Sequence, residues 1–274
     1  MPETLARYIW VQGGNIRKHC KVTSINTLEN GFEVGVVDAG SLPKKFKCRR
    51  LILALPQLAL NALIPYAPVL KKRDCFIKDV NSVKTMALTK INFYYRKRWW
   101  YKNFCIANGG CFTDLPVAQV YCFDPLDGEP YEGPAALTIY CDSHRSQYWK
   151  QLQAIGEPYK TDIFPRNPPH MTAASTVVVA HAQQQLAILY GVDRIPAPLL
   201  SSYTYWGSKE TGDGDHLWAV GANDKDIRNR MCNPCEGIYV CGESYSDQQA
   251  WVEGALRSTE RVLQSGFGLP PLIH

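Results

Sequence analysis

The pattern of apolar and polar positions is most informative near the end of the chain. Residues 238–240 form a short apolar run that predicts a buried strand, which Gly242 and a polar loop end. A helix is predicted to begin near Trp251, with Ser246 and Asp247 as capping groups ahead of it. Its apolar residues recur at three- and four-residue steps, so one stripe should face a core. That stripe consists of Val252, Ala255, Leu256, Thr259 and Leu263.

Two further patterns near the beginning of the chain predict strands. Residues 22–25 and 32–37 flank Asn30-Gly31, a pair that suits a tight turn, and Phe32, Val34 and Val36 alternate onto one face. This predicts a β-hairpin. Residues 51–55 form a continuous apolar run, typical of a strand buried on both faces, and Pro56 should end it.

The middle of the chain has a different pattern, with more aromatic residues, more proline and clear alternation, which predicts an antiparallel sheet. In residues 87–95, Lys90 shares a face with Leu88 and Asn92. From spacing alone a lysine within a strand is usually a solvent-facing residue. Residues 133–140 predict another strand, with a polar loop beginning at Tyr140. An amphipathic helix follows, ended by Gly191. Its apolar face comprises Val178, Val179, Ala182, Leu186 and Leu189.

Composition and charge exclude several classes of protein. The 274 residues are 46% hydrophobic and 20% charged, as in an ordinary globular protein. The net charge of +5 is modest, and the basic clusters at 71–73 and 96–98 are interpreted as solvated loop charges, so no nucleic-acid partner is expected. No apolar run is long enough to predict a membrane span, and the amino-terminus lacks the apolar core of a signal peptide.

The ten cysteines do not indicate a metal site. Cys232-Asn-Pro-Cys235 is a single CxxC pair without a second pair to complete a zinc site, so no metal is predicted. In a chain of this length the cysteines also do not form a small disulfide scaffold. We therefore expect reduced, mostly buried thiols and a cytoplasmic protein.

The stretch from residue 237 to residue 263 carries a more specific signal. It contains Cys-Gly-Glu at 241–243, Tyr-Ser-Asp at 245–247 and Trp-Val-Glu-Gly-Ala-Leu at 251–256. This stretch resembles the carboxy-terminal signature of the flavin-containing amine oxidases, in particular the bacterial amine and L-amino-acid oxidases. The resemblance implies FAD as cofactor, with Gly242 and Glu243 along it and the Glu243 carboxylate near its sugar or ribityl hydroxyls. It also implies that Val252 and its neighbours donate backbone N–H groups to the flavin pyrimidine ring.

The same resemblance assigns roles to residues far from this stretch. Residues 89–100 are similar to the family's segment whose lysine holds a water against flavin N5, which would be Lys90. Trp206 matches a tryptophan where the chain returns to the cofactor domain, and it would contact the cofactor. Trp251 and Trp218 would be aromatic walls of the substrate site, and Trp251 would also contact the cofactor. Val22 would contact the adenine through its backbone.

Two departures from the family pattern bear on the cofactor. No strand in this sequence is followed by G-x-G-x-x-G, the turn that lets a dinucleotide pyrophosphate approach the backbone. The sequence is therefore expected to be a fragment, or a chain that works with a separate amino-terminal polypeptide carrying that motif. In addition, Ala250 stands where the subgroup usually has glycine, and its Cβ could crowd the flavin or the loop.

Together these observations predict an α/β fold with mixed α+β character. Part of a Rossmann-like FAD-binding domain would comprise residues 1–63 and 206–274, and an antiparallel substrate domain residues 64–205. The function that the resemblance implies is oxidation of an amine or L-amino acid to an imine, with dioxygen reduced to hydrogen peroxide. Two alternatives remain open: a flavin-dependent desaturase or isomerase on the same scaffold, and a non-catalytic or partner-dependent subunit.

Overall fold

The computed structural model describes residues 2–40, 42–104, 106, 108–123, 133–208 and 212–272. The first half of the chain contains α1 (Pro2–Val11), β1 (Lys21–Leu28), β2 (Gly31–Val37), β3 (Pro43–Cys48), β4 (Leu51–Leu53), α2 (Gln57–Leu63), α3 (Pro68–Lys71), α4 (Asp74–Val80), β5 (Val83–Met86), β6 (Leu88–Tyr95), α5 (Trp99–Phe104), β7 (Gly109–Phe112) and β8 (Gln119–Phe123). The second half contains β9 (Ala135–Asp142), α6 (Ser143–Gln153), α7 (Thr176–Tyr190), β10 (Leu200–Ser208), β11 (Gly212–Asp213), β12 (Asp215–Trp218), α8 (Asp224–Cys232), β13 (Ile238–Val240) and α9 (Val252–Phe267). Within these ranges no helix has both the length and the apolar character to cross a bilayer.

The chain forms two compact units. The first comprises residues 1–84 and 217–274, and the second comprises residues 85–216. The sequence-based boundaries at 63/64 and 205/206 stay predictions. In the structure the first boundary lies later, after Lys84. The reason is that residues 64–84 supply Leu70, Phe76 and Val80, which are almost fully buried, to the core of the first unit.

The first unit contains the predicted β-hairpin, which is confirmed. Strands β1 and β2 pair antiparallel and β3 adds on the other side of β2. Gly31 has a φ of 131°, and a Cβ there would come within 2.2 Å of the Cys48 carbonyl oxygen, so only glycine suits this turn. Phe32, Val34 and Val36 are buried on one face, as their alternation predicts.

A second, parallel pair of strands positions the carboxy-terminal stretch. Strand β13 coincides with the predicted strand, and Ile238 and Val240 lie opposite Leu51 and Leu53 of β4. The predicted length of the strand at residues 51–55 and its burial on both faces are wrong. Strand β4 stops at Leu53, and Ile52 is 38% exposed. Pro56 instead precedes α2 as its N-cap residue. The carboxyl ends of β4 and β13 meet at one edge of the pair.

The second unit is built on an antiparallel sheet, as predicted. Its six strands have the order β11-β10-β6-β9-β8-β7, and β6 lies between β9 and β10. One face of the sheet packs with α6 and α7 around a core of apolar residues. The fully buried members include Ile91, Phe93, Trp100, Val120, Leu137, Ile139, Trp149 and Leu186. The opposite face carries the even-numbered residues of β6, including Lys90 and Asn92.

Helix α7 confirms the amphipathic helix expected before Gly191. Its first turn is capped by the Ser175 hydroxyl, which accepts the Val178 N–H at 3.2 Å. It ends at Gly191, whose φ of 62° is the left-handed conformation common just after a helix. Of the predicted apolar face, Val178, Val179, Ala182 and Leu186 are buried, and Leu189 is half-buried.

Candidate functional site

The loop that follows β13 is the first of two places where predicted site residues gather. Gly242 has φ 130° and ψ 172°, and no atom lies within 4 Å of the position that a Cβ would occupy. The backbone at the carboxyl edge of the parallel pair is therefore open on this side. Open backbone at such an edge is where α/β proteins receive ligands.

Hydrogen bonds within the loop fix its path. The Glu243 carboxylate accepts the Ala250 N–H at 2.8 Å, and the Gln249 side chain donates to the Ser244 carbonyl at 2.6 Å. At the base of the loop the Ser258 hydroxyl lies 2.9 Å from both the N–H and the carbonyl oxygen of Gly242. The loop is therefore held at both ends before any ligand arrives, which favours preorganised binding.

The capping groups predicted for α9 are wrong. The helix begins at Val252 with Trp251 as its N-cap residue, and no side chain caps it. The Ser246 hydroxyl instead accepts the Gln248 N–H at 3.1 Å, and the Asp247 carboxylate pairs with Arg257 at 3.3 Å. An uncapped helix start leaves backbone N–H groups and the positive end of the helix dipole available to an electron-rich partner.

The buried stripe predicted for α9 is also wrong. Val252 is 69% and Leu256 60% exposed, whereas Gly254 and Val262 are buried. The helix approaches the preceding loop so closely that a Cβ on Gly254 would lie 2.1 Å from the Gln248 carbonyl oxygen. A glycine therefore defines the packed face near the start of the helix, and the apolar Val252 and Leu256, together with the 71% exposed Trp251, remain accessible.

Ala250 lies in an unfavourable backbone conformation. Its φ is 68°, in the left-handed region that glycine tolerates and other residues seldom adopt. This is the position where the resemblance leads one to expect glycine. The bond from its N–H to Glu243 helps to hold the residue in this conformation.

The other predicted site residues of the first unit lie outside this loop. Val22 is in β1, opposite Val36, and its side chain is 40% exposed. Trp218 ends β12, is half-buried and packs its ring 6.4 Å from that of Tyr245. The Tyr245 hydroxyl in turn donates to the Val80 carbonyl at 3.0 Å. The proposed ligand contacts of Val22 and Trp218 stay predictions.

The second place is on the sheet of the other unit, where Lys90 and Trp206 come together. Lys90 is exposed, and its Nζ lies 5.8 Å from the centre of the Trp206 ring and 5.2 Å from the centre of the Tyr140 ring. Tyr140 lies directly opposite Lys90 on β9, and Trp206 is its diagonal neighbour on β10. Among the described residues no carboxylate is within ion-pair distance of this ammonium group.

Tyr140 is the residue that the sequence interpretation missed. It was expected to begin a polar loop, but it is inside β9, and α6 follows directly after that strand. Burial, and then the charges of Asp215 and Asp142, raise the pKa of Tyr140 to about 12. The alternation of residues 135–142 could have placed it on the Lys90 face, once β6 and β9 were known to pair.

The same face of the sheet carries polar groups that bond to one another. The Asn92 side chain donates to the Ser202 hydroxyl at 2.9 Å and accepts from the Thr138 hydroxyl at 2.6 Å. These bonds fix neutral polar side chains two residues along β6 from Lys90. Because Lys90 and Trp251 belong to different units, their convergence on one ligand stays a prediction.

The chain thus combines a parallel strand pair, followed by a ligand-ready loop and helix, with an antiparallel sheet. Comparison with known proteins identifies the family. Residues 1–155, more than half of the chain, match the family model described as flavin containing amine oxidoreductase. The chain belongs to this family, so the resemblance is confirmed. The loop after β13 and α9 lie beyond the matched residues.

Individual relatives agree with this assignment. The chain is 28% identical over 227 residues to aplysianin-A from Aplysia kurodai, covering 80% of this chain and 39% of the relative. It is 24% identical over 287 residues to L-amino-acid oxidase 4 from Hebeloma cylindrosporum, covering 96% of this chain and 42% of the relative. The chain therefore spans less than half the length of these relatives.

Solved structures confirm the fold class. A redesigned putrescine oxidase with two substitutions matches 98% of this chain and 53% of its own, with a TM-score of 0.70 at 17% identity. The cofactor that the family implies is FAD, as predicted. The first unit fits such a group in two respects: the space beside Gly242 is open, and the start of α9 has no side-chain cap.

Proposed function

We propose that the protein oxidises the carbon–nitrogen bond of an amine or L-amino acid to an imine, which water then hydrolyses. The chemistry that FAD would supply when bound is acceptance of a hydride from the substrate carbon and transfer of two electrons to dioxygen, which with two protons gives hydrogen peroxide. The family supports oxidoreductase chemistry in general. Among the relatives, a protein named L-amino-acid oxidase favours an amino acid as substrate.

One observation carries the proposal. The loop from Gly242 to Trp251 is fixed by hydrogen bonds within it and to Ser258 of α9, yet it leaves the start of α9 uncapped and Trp251 exposed. A surface tryptophan and free backbone donors on a rigid loop suit an aromatic ligand with an electron-rich edge. In this proposal Gly242, Glu243 and Val252 line the cofactor, and Trp251 faces the substrate.

In this proposal Lys90 holds a water molecule and promotes the reaction with dioxygen. Its ammonium group is a donor without a carboxylate partner among the described residues, so it can hold a water molecule and no ion pair offsets its charge. That charge would stabilise the negative charge that dioxygen gains when it is reduced. A general base is not required if the substrate amine binds in its neutral form, which suits a site of neutral polar and aromatic side chains.

The pyrophosphate of FAD has no G-x-G-x-x-G turn in this sequence to receive it. We propose that a segment with that motif, either in the same polypeptide or in a separate one, completes the cofactor site. The chain alone should therefore bind FAD weakly, and a co-expressed amino-terminal half of a relative should restore binding. Tight, stoichiometric FAD in the purified chain would contradict this part of the proposal.

The test of function uses anaerobic mixing of the flavin-loaded protein with a panel of L-amino acids and amines. We expect loss of the oxidised flavin spectrum with at least one of them, and peroxide in proportion to substrate once oxygen is admitted. Reduction by a substrate without nitrogen would instead support the desaturase alternative. A protein that stays colourless with FAD, with or without the second polypeptide, would support the non-catalytic alternative.

A matched pair of variants then tests Lys90. Lys90→Met removes the charge and should slow reoxidation by oxygen about tenfold or more, while substrate reduction changes less. Lys150 is the control, because it also lies over an aromatic ring of the same unit, 4.9 Å from the centre of Tyr205. Equal effects of Lys90→Met and Lys150→Met would show that Lys90 has no special role.

A further inference from the structure

Lys90 is held by ring faces rather than by a carboxylate, and this arrangement follows from the sheet itself. In β6 it lies between two strands, and each presents an aromatic residue to it: Tyr140 directly across on β9 and Trp206 diagonally on β10. The Nζ lies within 6 Å of both ring centres, the range in which an aromatic face attracts a cation.

We infer that Tyr140 and Trp206 are positioning residues for Lys90, which fix its ammonium group over the sheet while leaving its charge unneutralised. A lysine side chain has four rotatable bonds, and an exposed one would sample many positions. Two rings on different strands restrict that freedom. A carboxylate in their place would restrict it equally well but would cancel the charge on which the role of Lys90 depends.

The chain offers a matched comparison. Tyr205 and Trp206 are consecutive residues of β10 and therefore point to opposite faces of the sheet. Tyr205 contacts Lys150 of α6 on the packed face, whereas Trp206 contacts Lys90 on the open face. Substitution of either aromatic residue should therefore affect its own lysine and leave the other unchanged.

The experiment reports how close each lysine lies to aromatic rings and does not require flavin. Reductive methylation of the full chain with ¹³C-formaldehyde gives dimethylammonium signals, and Lys90→Arg and Lys150→Arg assign two of them. In the unaltered protein the Lys90 signal should lie upfield of exposed lysines such as Lys71, because of the ring currents of Tyr140 and Trp206. Trp206→Leu and Tyr140→Leu should each remove part of this displacement, and the double variant nearly all of it.

Conservative variants distinguish the loss of a positioning ring from a general loss of folding. Tyr140→Phe and Trp206→Phe retain a ring and should retain most of the displacement. Trp206 is 41% exposed, so Trp206→Leu should fold normally, which circular dichroism and the thermal midpoint check. Tyr205→Leu should move the Lys150 signal alone. A Lys90 signal at the position of exposed lysines in the unaltered protein, or one that ignores both leucine variants, overturns the inference.

The catalytic meaning of this positioning rests on the proposed function, but the two can fail separately. Absence of flavin reduction by any amine would refute the proposed oxidation and leave the lysine signals unaffected. In flavin-loaded protein, Trp206→Leu should slow reoxidation by oxygen several-fold, roughly as a partial loss of Lys90, and Trp206→Phe should restore it. If the lysine signal moves and reoxidation does not change, the two rings position Lys90 but this position has no effect on reoxidation.

Discussion

At the scale of single residues, Ala250 is the clearest case of a side chain that does not suit its backbone conformation. Its φ of 68° is held by the Glu243 bond on one side and by the start of α9 on the other. An alanine in this region costs about 1–2 kcal/mol, and glycine removes that cost while losing about 0.5–1 kcal/mol to its greater freedom when unfolded.

Ala250→Gly should therefore raise the free energy of unfolding by about 0.5–1 kcal/mol, measured by urea denaturation of the chain. Ala255→Gly is the control, because Ala255 is inside α9, where glycine should lower stability by about 1 kcal/mol. If both variants lose stability to the same degree, the left-handed conformation at 250 is not the one that the chain adopts.

Glu243 gives a second prediction at this scale, because its carboxylate accepts the Ala250 N–H. Glu243→Ala should cost about 1–2 kcal/mol of stability and should increase proteolysis at Arg257, since the loop loses one of the bonds that close it. Glu243→Gln keeps an acceptor oxygen and should cost less. The measurement is urea denaturation with limited tryptic digestion, and equal behaviour of the two variants would contradict a role for the bond.

The residue scale also shows what sequence could and could not provide. Lys90 and Trp206 were chosen by resemblance, and the structure places their side chains near each other. Tyr140 was missed, because its relation to Lys90 depends on the pairing of β6 with β9, whose residues are about 50 positions apart. Alternation within one strand assigns a face, but it does not identify the residue across the sheet.

At the scale of elements, helices and strands with strong local patterns were predicted well. The hairpin, β13 and α7 depend on turn residues and periodicity that are local to each segment. The buried face of α9 was not predicted, because its close contact with the loop selects Gly254 for small size rather than for apolar character. Hydrophobic periodicity reports which face avoids water, not which face approaches a neighbouring backbone.

The contact between α4 and α8 gives a prediction at this scale. Arg230 of α8 donates to both carboxylate oxygens of Asp79 in α4, at 2.7 and 2.8 Å, and the Asp79 side chain is only 6% exposed. Two parallel charge-assisted bonds fix geometry that a lysine cannot reproduce. The pair should therefore contribute to the stability of the first unit although half of the arginine is exposed.

Arg230→Lys should lower the free energy of unfolding by about 1 kcal/mol and Asp79→Ala by about 1–3 kcal/mol, measured by urea denaturation. Arg228→Lys on the same helix is the control. Its partner Asp224 is one turn away and 46% exposed, so that change should cost about 0.5 kcal/mol or less. A larger loss for Arg228→Lys than for Arg230→Lys would contradict the importance of the bidentate pair.

At the scale of the whole molecule, buried tyrosines couple stability to alkaline pH. Burial raises the pKa of Tyr203 to about 12 and raises those of Tyr95, Tyr190 and Tyr245 further, while Tyr140 also rises to about 12. In the unfolded chain these hydroxyls titrate near pH 10. Between that pH and about 12 the unfolded state therefore binds fewer protons than the folded state, and stability falls as pH rises.

We predict that these tyrosines cause no pH dependence of the free energy of unfolding below about pH 9. Above pH 10 the free energy of unfolding should decline steeply as pH rises. Ultraviolet titration of tyrosinate should show fewer ionised tyrosines at pH 11 in the native protein than in the same protein in urea. Tyr203→Phe should reduce the slope of stability against pH by about one proton, because phenylalanine cannot ionise in either state. A native titration that coincides with the unfolded one would show that these hydroxyls are accessible to water, and that the cores described for the two units are not closed around them.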